Sequence, residues 1–264
     1  MAGNSASPNF QIITTLRYDP VLTVQGSGYY LLPYHYDRLL SAATDFQWTR
    51  AITALQERGR EGLLDILNGE ILSQLQPWRI RVLVNQQGNI TSEFAPLEAR
   101  ASDILLPTLS NDSHPFNQGH PPPAWVLRLD SKFTPPTRFT RHKTTKREAY
   151  NASRERAGIN FPQQTVEVLI YSPTGEVMEG SITTPYFKRS RRQTGPREVE
   201  SGLEDVWVTP PLSSGGNDGT TRRYALAQGL CVEEVVGIDD LVNGEDVWLS
   251  NSVRGFVRAV LQLA

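Results

Sequence analysis

Apolar and polar residues alternate along this chain in short runs whose period changes at recognisable places. Residues 10–17 and 28–32 read as strands, residues 34–46 follow a helical period with more helix within 50–76, and 79–85 and 90–94 read as strands joined around Gln87-Gly88. Residues 110–123, SNDSHPFNQGHPPP, carry Pro, Gly, Asn and Ser in a density that disfavours both helix and strand. Beyond them, strand-like 124–129 and 166–171 flank a helix near 146–157. Strands at 183–188 and 206–208, a helix from Gly219 and a strand at 247–250 follow. The pattern predicts a small α+β domain over 1–112, a linker at 113–123 and a larger domain of strands and helices over 124–264. Residues 188–204, KRSRRQTGPREVESGLE, are charged and broken by Gly195-Pro196, which predicts a long solvated loop between neighbouring strands. No internal repeat supports a solenoid or propeller.

Composition removes several function classes. The chain has 264 residues, enough for one large domain or two modest ones around an apolar core. A formal net charge of −2 with both signs interspersed argues against a polyanion-binding surface, so nucleic acid is not an expected partner. Cys231 is the single cysteine, and His35, His114, His120 and His142 lack metal-ligand spacing; neither a disulfide framework nor a metal site is expected. The N-terminal residues have no basic start or apolar stretch, and no run approaches the length of a membrane span, so a cytoplasmic protein without a membrane partner is expected. Three Asn-x-Ser/Thr matches, at Asn89, Asn111 and Asn151, have no consequence in that setting.

Several short segments carry candidate chemistry. In His35-Tyr-Asp-Arg-Leu-Leu-Ser41, Arg38 and Ser41 lie three apart and share a helix surface. Arg141-His-Lys-Thr-Thr-Lys-Arg-Glu148 offers two lysines, Lys143 and Lys146, and by itself reads equally well as a solvated basic helix start. Gly175-Glu-Val-Met-Glu-Gly-Ser-Ile-Thr-Thr184 places Glu179 beside a glycine on a turn and strand. Thr209-Pro-Pro-Leu212 and Gly216-Asn-Asp-Gly-Thr-Thr-Arg-Arg223 lead into a helix, and glycines before a helix start let backbone N–H groups approach an anion that the helix dipole favours. In Leu249-Ser-Asn-Ser-Val-Arg-Gly255, Ser250 and Ser252 fall on one side of a continuing strand.

In this order, the segments resemble the D-amino-acid/branched-chain aminotransferase-like class of pyridoxal-phosphate enzymes, fold type IV, over nearly the whole chain. The resemblance implies a two-domain α+β fold, a small α+β domain plus a larger barrel-like α/β domain, with pyridoxal 5'-phosphate between them and a homodimer as the usual assembly. It also implies roles. Lys143, which with Arg147 fits the family's K-x-x-x-R pattern while Lys146 lacks the matching arginine, holds the cofactor as a Schiff base. Such a lysine must act as nucleophile and base, which a lowered pKa would permit. Arg38, in the family's H-x-x-R-L segment, reaches the cofactor phosphate, a task suited to a planar guanidinium. Glu179, in a stretch similar to E-G-x-x-x-N-x-F, keeps the pyridine nitrogen protonated. Thr183 or Thr184 stands for the usual asparagine there, Pro185 is added, and Phe187 remains near its expected place. Thr220 through its backbone, Thr221 through its hydroxyl and one of the two serines, Ser252 in preference to Ser250, complete a phosphate cup.

The Asn251-Ser-Val-Arg-Gly255 stretch is similar to that of the class's 4-amino-4-deoxychorismate lyases, where Arg254 would receive a substrate carboxylate. The reaction so implied forms 4-aminobenzoate and pyruvate, a folate precursor step. An aminotransferase acting on branched-chain or D-amino acids or an amine would use the same cofactor residues and is the alternative. A non-catalytic scaffold relative is disfavoured by the presence of both Lys143 and Glu179.

Overall fold

The computed structural model describes residues 10–24, 26–110, 114–117, 125–161, 164–192 and 203–263. These residues pack as two compact units that interleave along the chain. The first holds the described residues up to Leu105 together with Thr137–Arg147 and Ser252–Arg254, and the second holds the remainder.

The first unit is a three-stranded antiparallel sheet in the order β1-β2-β3 (Ile12–Tyr18, Trp78–Val84, Ile90–Pro96). Its helices are α1 (Leu32–Asp45), α2 (Thr49–Glu70) and the short α3 (Ser102–Leu105) and α4 (Arg138–Arg141). Ile12, Leu16, Ile80, Val82 and Val84 of the sheet and Leu39, Ala42, Leu55, Leu63 and Leu67 of α1 and α2 form one buried cluster, which accounts for the periodicities of both element types. The strand expected at 28–32 does not form. Gly28 and Leu31 both adopt positive φ (82° and 55°), only Tyr29 bridges to Tyr18, and Leu32 with Pro33 opens α1, where the fixed φ of proline suits the first helical turn. Within α2, Gly59 at φ 63° breaks the helix into two stretches.

The second unit is built on an eight-stranded sheet in the order β6-β5-β4-β11-β10-β7-β8-β9. Its strands are β4 (Trp125–Leu129), β5 (Val166–Tyr171), β6 (Val177–Gly180), β7 (Thr184–Arg192), β8 (Leu203–Thr209), β9 (Val232–Glu233), β10 (Asp246–Asn251) and β11 (Gly255–Gln262). β4 runs parallel to β5 and to β11, β8 runs parallel to β9, and the other pairs are antiparallel. Leu127, Leu169, Phe187, Val208, Val247, Leu249 and Leu261 share its core. Helices α5 (Glu148–Arg156) and α6 (Thr220–Ala227) belong to this unit. Of the expected linker, residues 114–117 are described: Phe116 is buried and stacks on Trp248, with ring centroids 4.8 Å apart.

Residues 188–204 depart from the expected loop. Lys188 pairs with Trp207, Arg189 with Val206 and onward to Arg192 with Leu203, so both ends of the segment are strand; residues 193–202 lie outside the described residues. The arms are held by backbone hydrogen bonds and by the ion pair between Lys188 and Asp205, 2.7 Å, features without a hydrophobic signature. No helix among the described residues is long and apolar enough to cross a membrane.

Candidate active site

The segment bearing Lys143 is fixed at both ends in the first unit. Thr137 caps α4 in a reciprocal capping box with Thr140. Beyond α4 the chain runs along the edge of β1: Ile13 N–H donates to the Lys143 carbonyl at 3.0 Å and Thr145 N–H to the Gln11 carbonyl at 2.9 Å. Lys143 is half-buried in this extended stretch. Lys146 is exposed, its ammonium 4.6 Å from the centroid of the Phe139 ring, and it precedes α5 rather than lying on it. The two lysines therefore differ in environment as well as in spacing. His142, next to Lys143, is buried against Phe46 and 3.2 Å from Asp45; burial pulls its pKa below the usual histidine value despite that carboxylate.

Arg38 is half-buried on α1. Its neighbours Asp37, Leu40, Ser41, Thr44 and Asp45 line an open cavity of about 510 Å³ together with Arg141 and His142; neither Arg38 nor Lys143 lines it. Ser252 and Arg254 sit in the turn between β10 and β11, which packs with the first unit. Two contacts pin that turn to β1: Ser252 Oγ donates to the Thr15 carbonyl at 2.6 Å, and Arg17 Nη1 donates to the Val253 carbonyl at 3.2 Å. Arg17 is almost wholly buried, paired with Asp19 and also bonded to the Glu98 carbonyl. Sequence reasoning did not find Arg17, because an arginine in a strand-like run signals nothing until its partners, 2, 81 and 236 residues away, are known.

Glu179, on β6 in the second unit, accepts a hydrogen bond from the Tyr150 hydroxyl at 2.6 Å and one from the Asn217 N–H at 3.2 Å, both at Oε1. One carboxylate oxygen is thereby fixed by two donors. Tyr150 was not anticipated either; its signal is the packing of α5 on Ile170 and Met178. The adjoining Gly180 has a steric reason. A Cβ there would sit 2.3 Å from Thr183 Oγ1 and 3.1 Å from the buried Glu167 side chain, whose carboxylate gathers the Ser181, Ile182 and Thr183 donors.

The glycines before α6 are also close-packed. A Cβ on Gly216 would lie 2.4 Å from the Met178 carbonyl oxygen, and one on Gly219 would lie 2.7 Å from Thr184 Oγ1. The loop thus approaches β6 and β7 through backbone alone. Gly219 is the N-cap of α6 and has no side chain with which to cap it, and Thr220 and Thr221 open the helix, whose first N–H groups lie at the positive end of the helix dipole. Thr221 Oγ1 accepts from Ser250 Oγ at 2.7 Å. Of the two serines weighed from the sequence, Ser250 is the one beside Thr221, while the Ser252 hydroxyl is engaged with Thr15. Buried Arg222 holds the preceding turn through the Pro210 carbonyl, at 3.1 and 3.3 Å, and through Glu233.

These residues suit pyridoxal phosphate by their own chemistry: a helix start with a glycine N-cap and hydroxyls for a phosphate, a supported carboxylate for a ring nitrogen, and a half-buried lysine for an aldehyde. The chain matches the model of amino-transferase class IV over residues 11–261 and belongs to that family. The family is one of pyridoxal-phosphate-dependent enzymes acting on small molecules. Within it, aminodeoxychorismate lyase of Saccharomyces cerevisiae is 27% identical over 95% of this chain and 72% of its own. Among solved structures, a Mesorhizobium loti protein assigned as an amino-acid aminotransferase superposes with a TM-score of 0.64 at 24% identity, covering 96% of this chain and 100% of the other. A hypothetical aminotransferase of Mycobacterium tuberculosis in its PLP-bound form does so with a TM-score of 0.58 at 17% identity, covering 95% and 81%. The structural likenesses establish the two-domain α+β fold of the class.

Proposed function

We propose that this chain is a 4-amino-4-deoxychorismate lyase that forms 4-aminobenzoate and pyruvate. The observation carrying the reading is the turn bearing Arg254, whose preceding residues are held to β1 through the Ser252 hydroxyl and the Val253 carbonyl, so that a guanidinium suited to a carboxylate is carried on a fixed backbone. The likeness to the yeast lyase supports the same reaction.

When bound, pyridoxal phosphate supplies a cationic ring that accepts the electron pair released as a substrate C–H bond breaks. Lys143 Nζ would hold the cofactor through its aldehyde, and its amine when free would be the base that takes the proton from the substrate ring carbon. Glu179, steadied by Tyr150 and Asn217, would hold the proton on the pyridine nitrogen. Arg38, the Thr220 N–H and the Thr221 hydroxyl bind the phosphate, with Ser252 as the further hydroxyl expected from sequence and Ser250 behind Thr221. Arg254 orients the substrate through a carboxylate. Loss of the enolpyruvyl group as pyruvate leaves an aromatic ring, so the residues mainly orient the substrate and its base. A homodimer in the cytoplasm, working in folate precursor synthesis, belongs to the same proposal.

The test is to supply the purified protein, loaded with pyridoxal phosphate, with enzymatically made aminodeoxychorismate and to follow both products. Equal amounts of 4-aminobenzoate and pyruvate, abolished in Lys143→Ala, are expected. Conversion of the cofactor to its amine form by an amino acid or amine, without pyruvate, would overturn the lyase in favour of an aminotransferase.

A further inference from the structure

Three hydroxyls in the second unit lie together: the Tyr186 phenol on β7 lies 2.8 Å from Ser250 Oγ on β10, and Ser250 Oγ lies 2.7 Å from Thr221 Oγ1 in the first turn of α6. All three residues are buried. Each hydroxyl has one hydrogen to give, which makes the order of donation along such a chain a single choice. Ser250 donates to Thr221, so the Ser250 oxygen takes its bond from Tyr186. Thr221, having accepted, directs its own hydrogen away from the chain, in the first turn of α6, where the N-cap is a glycine. In the reverse order Ser250 would donate to the Tyr186 oxygen, and the phenol hydrogen would have to leave the chain beside the Phe116 and Phe256 rings that pack it.

We infer that Tyr186 is a positioning residue for phosphate: through Ser250 it fixes Thr221 as a hydrogen-bond donor toward the cofactor's phosphate group. The inference rests on the proposed phosphate contact of Thr221 and adds a residue that touches neither cofactor nor substrate. Register explains why the relay can exist. Trp248 pairs with Tyr186 and Ser250 with Thr184 across β10 and β7, so Tyr186 and Ser250 are diagonal neighbours, within reach of a long aromatic side chain. Phe116 and Phe256, with ring centroids 5.6 and 5.8 Å from Tyr186, pack its ring and limit its rotation. A phenylalanine at 186 could keep those ring contacts and lose only the hydroxyl.

The experiment compares dissociation constants of pyridoxal phosphate and of unphosphorylated pyridoxal for the apo-protein, measured by absorbance titration in wild type, Tyr186→Phe, Ser250→Ala and the double variant. The ³¹P resonance of bound pyridoxal phosphate is recorded for each. Tyr186→Phe is expected to weaken pyridoxal phosphate about three- to tenfold, the range of one neutral hydrogen bond. It should leave pyridoxal unchanged and shift the ³¹P resonance, and the double variant should be no worse than Ser250→Ala alone. A general packing role would weaken both ligands together, and that result overturns the relay. Wild-type affinity in Tyr186→Phe also overturns it while leaving the phosphate site intact. Wild-type protein that does not distinguish the two ligands overturns the phosphate site itself. Should Tyr186→Phe fail to fold, Ser250→Ala carries the same comparison, since it removes the same donation to Thr221.

Discussion

At the scale of single residues, the site depends on side chains that hold other side chains. Glu179 has one oxygen occupied by Tyr150 at 2.6 Å, a short bond from a hydroxyl to a carboxylate, and a longer one from the Asn217 N–H at 3.2 Å. Such charge-assisted bonds are worth about 1.5–3 kcal/mol, and losing one leaves the carboxylate with a wider range of orientations. Tyr150→Phe should therefore lower kcat about tenfold, corresponding to roughly 1.4 kcal/mol, with little change in KM because no substrate contact is removed. Steady-state kinetics of 4-aminobenzoate formation measure it. An unchanged kcat would show that the Asn217 N–H alone suffices. Arg17 acts in the same indirect way on the turn bearing Arg254. The sequence points to Glu179 and Arg254 only through the resemblance of their segments to those of a known class. It could not point to Tyr150 or Arg17, whose roles exist only after segments 29 and 236 residues apart have met.

At the scale of elements, the glycines before α6 have a steric reason of their own. The sequence predicts that Gly216 lets backbone approach an anion; the structure shows its missing Cβ as the space into which the Met178 carbonyl fits. Gly216→Ala must push the loop off β6 and carry the α6 N-terminus with it, so affinity for pyridoxal phosphate should fall about tenfold or more. Gly69→Ala, at a helical position of α2 with open space around it, should leave that affinity unchanged and raise stability by about 0.5–1 kcal/mol. Absorbance titration and urea unfolding of the two variants separate these effects. Other elements were hidden for definable reasons. β11 has apolar residues on both faces, Phe256 and Val260 on one and Val257, Ala259 and Leu261 on the other, because it lies inside the sheet between β10 and β4. Without a two-residue alternation such a strand has no distinct signature. The arms of the 188–204 hairpin were hidden by the opposite feature, a polar surface whose pairing is carried by the backbone.

At the scale of the molecule, each unit contains a histidine whose charge burial disfavours, His142 buried in the first and His114 half-buried in the second, and together they predict how stability depends on pH. His114, in the second unit, has both ring nitrogens committed: Nδ1 lies 3.1 Å from the Phe116 N–H and accepts from it, and Nε2 lies 2.9 Å from the Leu230 carbonyl and donates to it. Protonation would turn Nδ1 into a donor facing a donor. Burial adds to this and lowers the pKa, with the Leu230 carbonyl opposing. His142, in the first unit, is lowered by burial first, with Asp45 opposing and Arg141 and Arg138 assisting. In the unfolded chain both rings take a proton near the ordinary value of about 6.5, whereas in the folded chain they resist until lower pH. The unfolded state thus binds more protons in that window. Stability contributed by the two histidines is fully present above about pH 6.5 and is lost as pH falls from there through their folded pKa values. Urea unfolding followed from about pH 7.5 to 5.5 should show the free energy decreasing toward acid, with the slope reduced in His142→Gln and nearly absent when His114→Gln is added. A slope that survives in the double variant would mean that other groups titrate there and that these two rings are not the ones resisting charge.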